Sequence, residues 1–411
     1  MKLNRNLKKV LDRKIEIDQT VVQSVSAILD DIKKNGDAAV AKYCQKFGEG
    51  NSLVSQKQIK AATARVGADF IRILERAAQN IREFHLNQKT ASWQMLKEGR
   101  VILGQIVTPI ERVALYVPGG TATYPSSVLM NAIPAQIAGV KELVIFTPKL
   151  NDLILAAAAV CGIETIYTIG GAQAVAVVAF GTQTIAKFDR IVGPGNAYVA
   201  EAKRQVFGTI GIDMIAGPSE ILIIADEYAN PKYIAADLMS QAEHDEMASA
   251  ILITTSERII DETEAELERQ LATLERSEII RKSLEGFGAA ILVSSLEEAF
   301  EISNKVAPEH LEILTQNPLE KLPLVKNAGS IFLGENTPEP LGDYMGGTNH
   351  VLPTNGTARF SSALGVYDFV KYTSFSYYTK QALLDSGEDV MEFAKLEGLD
   401  AHANSIKRRF E

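Results

Sequence analysis

From Val113 onward the chain alternates short runs rich in β-branched residues with alanine-rich stretches of helical length, and few folds accept that alternation. The runs read VALYV, ELVIFT, ETIYTI and DRIVG, then, past AGPSE, ILIIAD, SAILITT, AAILV, LEILT and GSIFLG. Strands separated by helices in this way form βαβ units and build parallel sheet. So many runs exceed one compact sheet, and the Gly/Pro-rich GPGN and AGPSE fall between two groups of them. The expected architecture is α/β, with two adjacent Rossmann-like parallel-sheet domains over 111–220 and 221–370. Ahead of them, 1–110 reads as helices, broken at KNGDAA, where Asn35-Gly36 ends one helix and Asp37 caps the next. These N-terminal helices are expected to pack with the second α/β domain. The last segment, 371–411, has helical texture and carries the aromatics of YTSFSYY. It holds too little apolar surface to fold alone and is expected to dock elsewhere.

Composition narrows the function classes. A chain of 411 residues is longer than one hydrophobic core usually serves. Its 42 basic and 51 acidic residues leave a formal charge of -9, which argues against nucleic acid and against anionic membrane surfaces as partners. Cys44 and Cys161 are the only cysteines, so neither a disulfide framework nor a thiolate metal site is available. The start, MKLNRNLKKVLDRK, is basic without an apolar core of its own, and no uncharged apolar run is long enough to span a bilayer. The expected location is the cytoplasm.

Open α/β sheets bind ligands at the carboxyl ends of their strands, where glycine-rich turns let backbone N–H groups approach a phosphate. Three such turns follow strand runs: YVPGGTATYPSS, IGGAQAV and VGPGNAYVAEAKR. None is a strict G-x-G-x-x-G, because Gly193 and Gly195 take the first two positions and Tyr198 the third. Each suits a tight strand-to-helix turn or a phosphorylated ligand, and both readings stay open. Of the five histidines, His85 lies on an amphipathic helix and reads as structural. His244, His310, His350 and His402 sit beside polar residues in SQAEH, APEHL, GDYMGGTNH and EGLDAH. Gln241 and His244 are three residues apart on a helical stretch, so both side chains reach one point. Two imidazoles with Asp343 and Gln241 supply two nitrogens and two oxygens, a set that suits zinc, manganese or cobalt. A neutral amide oxygen is a weak ligand and would leave such an ion open to ligands from a substrate.

The blocks ERVALYVPGG, VGPGNAYVAEAKR, IDMIAGPSE, DLMSQAEHD, APEHLEI, GSIFLG, GDYMGGTNHVLPT and EGLDAH, in this order, resemble the histidinol dehydrogenase family, and the resemblance runs from about Thr20 to Ala403. It implies a zinc-dependent homodimer that oxidises L-histidinol to L-histidine through the aldehyde, with two NAD+, at the end of histidine biosynthesis. Carried over position by position, one zinc per chain is held by Gln241, His244, Asp343 and His402, the last reaching into the partner's site. Glu309 and His310 match the catalytic pair, His310 taking the alcohol proton and Glu309 activating water on the aldehyde. Ser219, His350 and Glu397, with His310 and the four metal ligands, match substrate contacts. Tyr116, Gln173 and Asn196 match cofactor contacts.

The chemistry asks for these residue types. Loss of hydride from a carbinol needs a base titrating near neutrality, which His supplies, and a carboxylate next to it suits the hydration step. A negative Glu309 is expected to raise the His310 pKa. Three rivals share these residues. A zinc hydrolase would use the same metal set and carboxylate, and a dehydrogenase of another amino alcohol would differ only in its pocket. The third, a non-catalytic nucleotide- or metal-binding relative, is weighed against by the presence of both Glu309 and His310. The chain departs from the family pattern at Glu246-Met247, close to the metal set but at no role-bearing position.

Overall fold

The computed structural model describes residues 2–11, 18–119 and 124–411. Residues 120–123 of the first glycine-rich turn lie outside the described residues, as do Met1 and residues 12–17 of the basic start. The strands are β1 (Trp93–Lys97), β2 (Val101–Pro109), β3 (Arg112–Tyr116), β4 (Glu142–Phe146), β5 (Thr165–Tyr167), β6 (Arg190–Val192), β7 (Gly211–Ile212), β8 (Glu220–Ala225), β9 (Ser249–Thr254), β10 (Ala289–Leu292), β11 (His310–Leu314), β12 (Ser330–Leu333) and β13 (Val370–Tyr378). Every run read as a strand from the sequence is one.

Two five-stranded sheets result, ordered β5-β4-β3-β6-β7 and β10-β9-β8-β11-β12, and all their pairings are parallel. All residues of β8 and β9 are buried, as expected for parallel sheet covered by helices on both faces. The side chains of the first sheet alternate between two cores. Val113, Leu115 and Ile145 enter one, while Ala114, Tyr116, Val144 and Phe146 enter the other.

Three features differ from the sequence reading. The N-terminal helices pack on the first sheet, not the second. Gln19–Asn35 and Asp37–Phe47 cover its Ala114/Tyr116 face, while Gln56–Val66 and Ala68–Leu86 cover the Val113/Leu115 face. The second sheet is filled by its own helices and, among the described residues, takes apolar side chains of the N-terminal segment at Leu3, Leu7 and Val10. Second, β1, β2 and β13 form a separate antiparallel sheet, with β13 in register along β2 from Val370 opposite Pro109 to Tyr378 opposite Val101. The β-branched and aromatic content of VKYTSFSYY favours a strand once a partner is present, and that partner lies far away in the chain. Third, Asp37 is the first helical residue and not a cap. Gly36, at φ 53, joins the two helices, and Thr184 donates to the Asp37 carboxylate.

Candidate active site

The two sheets meet along a seam that the chain crosses between β7 and β8 and crosses back after β12. After β12 a short helix, Glu339–Tyr344, lies against Phe332, and by Val351 the chain has entered the core of the first sheet with Leu364 and Phe369. Val351, Leu364 and Phe369, expected in the second domain, therefore belong to the first core, while Asn355 N–H donates to Glu220 and Arg359 to the Lys305 carbonyl on the second. Asn349 fixes the crossing by donating to the Met130 carbonyl at 2.7 Å, and its amide lies 3.4 Å from His85 Nε2. His85 is buried with Nδ1 on the Ile81 carbonyl, which agrees with the structural role read from sequence.

At this seam β11 begins with His310, buried to 4 % exposure. Its Nδ1 lies 2.9 Å from the Glu220 carbonyl, an acceptor only, so Nδ1 carries the proton and Nε2 keeps its lone pair. Nε2 faces Glu339 Oε1 at 3.5 Å. Glu309 lies on the other side, Oε2 3.6 Å from Nδ1, and the same oxygen accepts the Glu220 N–H at 2.8 Å. The expected lift of the His310 pKa is reversed. Burial holds the ring down at about 4, outweighing the Asp343 charge, and burial also pushes the Glu309 carboxyl well above its ordinary value. Burial thus outweighs the neighbouring carboxylates, and His310 is a neutral base with a free nitrogen at physiological pH.

His310 Nε2 faces a group of oxygen donors. One ligand atom each from His310, Glu339 and Asp343 lie within 4.8 Å of one another, the group among the described residues with the spacing of a metal site. Burial pulls Asp343 up, yet hydrogen bonding to His350 and its charge hold it at about 2, with His350 Nδ1 3.5 Å away. Burial raises Glu339 to about 9, the Asp343 charge adding to it. Gln241 is 1 % exposed, and among the described residues neither its amide atoms nor Glu339 Oε1 meets a hydrogen-bond partner. Buried polar atoms left open in this way mark a place made for a ligand. His244 follows the end of helix Pro231–Ala242 and feels burial first and then the Asp343 charge, so it borders the same space. The donors are nitrogens and oxygens, which fits a borderline or hard divalent ion.

Other predicted residues lie as follows. Ser219 stands just before β8, and His350 Nε2 is 3.3 Å from Ser127 Oγ on helix Pro125–Ala138. Glu397 and His402 are exposed on the tail helices, Lys380–Leu396 with its cap and Asp400–Lys407. Neither belongs to the metal-spaced group of His310, Glu339 and Asp343 found among the described residues.

Tyr116 ends β3, and its phenol, pushed up to about 12 by burial, takes the Gly171 N–H at 3.0 Å. Gln173 is buried in the first turns of helix Gly171–Phe180. Asn196 caps helix Ala197–Val206, its Oδ1 accepting from Tyr198 and Val199. Gly193, at φ 116, lies so near the Tyr116 carbonyl that a Cβ would come within 2.1 Å of its oxygen, so this glycine serves close packing of adjacent strand ends. Behind it Lys203 and Asp213 form a buried ion pair. Lys203 Nζ donates to the Gly193 carbonyl at 3.0 Å, and Asp213 accepts the N–H groups of Gly193 at 2.8 Å and Met214 at 2.7 Å.

Sequence reasoning missed Glu339 and a second row of acids behind it. Glu312, two residues after His310 and so on the same face of β11, accepts the Glu339 N–H at 2.8 Å and lies near Asp237, whose charge acts on it. Burial raises both carboxyls, Asp237 to about 6. The missed signal was spacing: Asp237 is four residues before Gln241, and Glu339 four before Asp343.

A family model described as histidinol dehydrogenase matches residues 11–410. Histidinol dehydrogenase from Lactococcus lactis is 57% identical over 420 residues, covering 100% of this chain and 97% of the relative, and that from Clostridium acetobutylicum is 54% identical, covering 95% and 93%. The crystal structure of histidinol dehydrogenase from Elizabethkingia anophelis superposes with a TM-score of 0.94 at 38% identity, covering 99% of this chain and 98% of that one. The chain belongs to the histidinol dehydrogenase family.

Proposed function

We propose that this member of the family oxidises L-histidinol to L-histidine through the aldehyde, the last steps of histidine biosynthesis. The observation that carries the reading is the buried, neutral His310 with its free Nε2 facing the donor group, and Glu309 beside it. His310 Nε2 takes the alcohol O–H proton as hydride leaves carbon. Glu309, whose carboxyl burial pushes well above its ordinary value, takes the proton of water adding to the aldehyde, so that the hydrate again offers an O–H and a C–H. Gln241, His244 and Asp343, with His402 of the partner subunit, would hold zinc; Tyr116, Gln173 and Asn196 would contact NAD+. Ser219, His350 and Glu397 of the partner subunit would orient the substrate. When bound, zinc supplies a template for the substrate nitrogens with secondary Lewis acidity, and NAD+ supplies the hydride acceptor, twice per substrate.

The shared site rests on the tail. Leu384, Val390, Phe393, Leu396 and Leu399 are exposed, Phe393 to 66% and Leu396 to 80%, and so are Leu96 and Tyr377, which share a face of the antiparallel sheet across Ile102. An apolar surface of this extent is suited to burial against a second copy, and an exchanged tail closes a two-fold dimer. That exchange would bring His402 and Glu397 to the partner's site.

Turnover of L-histidinol against other amino alcohols, counting NADH per substrate consumed, tests the reading. Two NADH per histidinol and little turnover of the others are expected. No NADH from histidinol would overturn it.

A further inference from the structure

The turn after β5 carries an acid that the mechanism above does not use. Helix Asp37–Phe47 ends at Gly48, and the chain then runs antiparallel along β5, with Thr168 N–H on the Ser52 carbonyl at 3.0 Å and Val54 N–H on the Ile166 carbonyl at 2.9 Å. This places Glu49 at the start of helix Gly171–Phe180. Its Oε2 accepts the Gly170 N–H at 2.9 Å and the Gln173 side-chain amide at 2.7 Å. Its Oε1 makes no hydrogen bond among the described residues. The next N–H, that of Gly171, goes to the Tyr116 hydroxyl.

A helix start of this kind is ordinarily where a phosphate binds. Here the Gly170 and Gly171 N–H groups are taken and a carboxylate sits on the helix start, so the turn repels phosphate and offers an acceptor to hydroxyl groups. The turns after β3, β4 and β5 converge: a Cβ on Gly119 would meet Pro148 and Lys149, and one on Gly170 would meet Pro148 at 2.3 Å. Lys149 is the single basic residue in them.

The sheet order β5-β4-β3-β6-β7 reverses between β3 and β6, which is where a dinucleotide straddles such a sheet. The chain reaches Ser219 and the His310 region from β7, so the hydride-accepting end lies over β6 and β7 and the adenosine end over β4 and β5. We infer that Glu49 binds the adenosine ribose hydroxyls of NAD+ and excludes the 2′-phosphate of NADP+, which makes it the coenzyme-selecting residue. This rests on the cofactor reading proposed above.

The test compares the full-length wild-type enzyme with Glu49→Gln and Glu49→Ala. Gln keeps an oxygen for Gly170 and Gln173 but loses the charge, while Ala removes both. With L-histidinol saturating, kcat/KM for NADP+ relative to NAD+ should rise at least about tenfold in Glu49→Gln, the scale of one charge-assisted contact, carried by KM. Calorimetric titration with ADP-ribose and its 2′-phosphate should show the same shift without turnover. A lower melting temperature with both ratios unmoved would make Glu49 a mere helix cap and overturn the inference. Wild-type enzyme that reduces neither dinucleotide would overturn the functional reading, and the titrations would still decide the role of Glu49.

Discussion

Replacing Lys203 by Met removes a buried cation while keeping an unbranched chain of similar length. The side chains of Lys203 and Asp213 are 2% and 1% exposed, so Asp213 would be left as a charge without its counter-ion in a dry site. Breaking a buried pair from one side costs about 3–5 kcal/mol. The lost bond to the Gly193 carbonyl is part of that cost. In a folding unit of 150–250 residues this lowers the melting temperature by roughly 6–20 °C. Replacing Asp213 by Asn as well restores neutrality and keeps an oxygen for the Gly193 and Met214 N–H groups. The double variant should therefore recover all but about 1–2 kcal/mol, the remaining lost hydrogen bond. Urea and thermal unfolding of the four proteins of this cycle, with KM for NAD+, give the coupling. Because the pair braces the turn that carries Asn196, KM for NAD+ should rise in Lys203→Met and fall back in the double variant. A single variant that costs under about 1 kcal/mol, or a double variant no better than the single, would refute the reasoning.

Five more outcomes are expected. His310→Asn should slow the first oxidation by roughly 10²–10⁴, and Glu309→Gln should spare alcohol oxidation more than aldehyde oxidation; single-turnover rates of the two half-reactions check both. Metal analysis of active enzyme should find one zinc per chain, and chelation should abolish activity until zinc or manganese returns; active enzyme free of transition metal would contradict this. His244→Ala and His402→Ala homodimers should each be inactive, yet refolded together should regain about a quarter of wild-type activity, because half the dimers carry one intact site; no recovery would mean the tail serves its own chain. Burial pushes both Cys44 and Cys161 up to about 12, so Ellman's reagent at pH 8 should find no reactive thiol in the native protein and both after unfolding.

The strands of both sheets were legible because parallel strands are written as continuous apolar runs, and β8 and β9 are buried along their whole length. β13 was not. Its partner β2 is far away in sequence, and aromatics such as Tyr372 and Tyr377 carry no periodicity that separates strand from helix without that partner. The packing of the N-terminal helices was hidden for a similar reason: an apolar stripe shows that a helix is covered but not by which sheet. At the site, His310 and Asp343 stood out through motif and residue type. Glu339, Glu312 and Asp237 did not, since an acidic residue on a helix or strand ordinarily reads as solvated surface, whereas Glu312 is fully buried and Glu339 2% exposed. The direction of the His310 shift was also beyond the sequence, because it depends on how much water the fold removes from the ring.

Asn349 has a bearing on motion. Together with Asn80 on the Met345 carbonyl and Gly217 N–H on Thr354 Oγ1, it rivets the chain where it passes from one sheet to the other. In the proposed function hydride crosses that seam, from a carbon held beside the second sheet to an acceptor held on the first. Many two-lobed enzymes admit their ligands by swinging the lobes apart on a hinge. A seam riveted at three points resists that movement, so entry and exit fall to the periphery: the turns that frame the coenzyme and the tail helices with their uncovered apolar side chains. Stiffening those parts would slow turnover through release, while the geometry of hydride transfer stayed as it was.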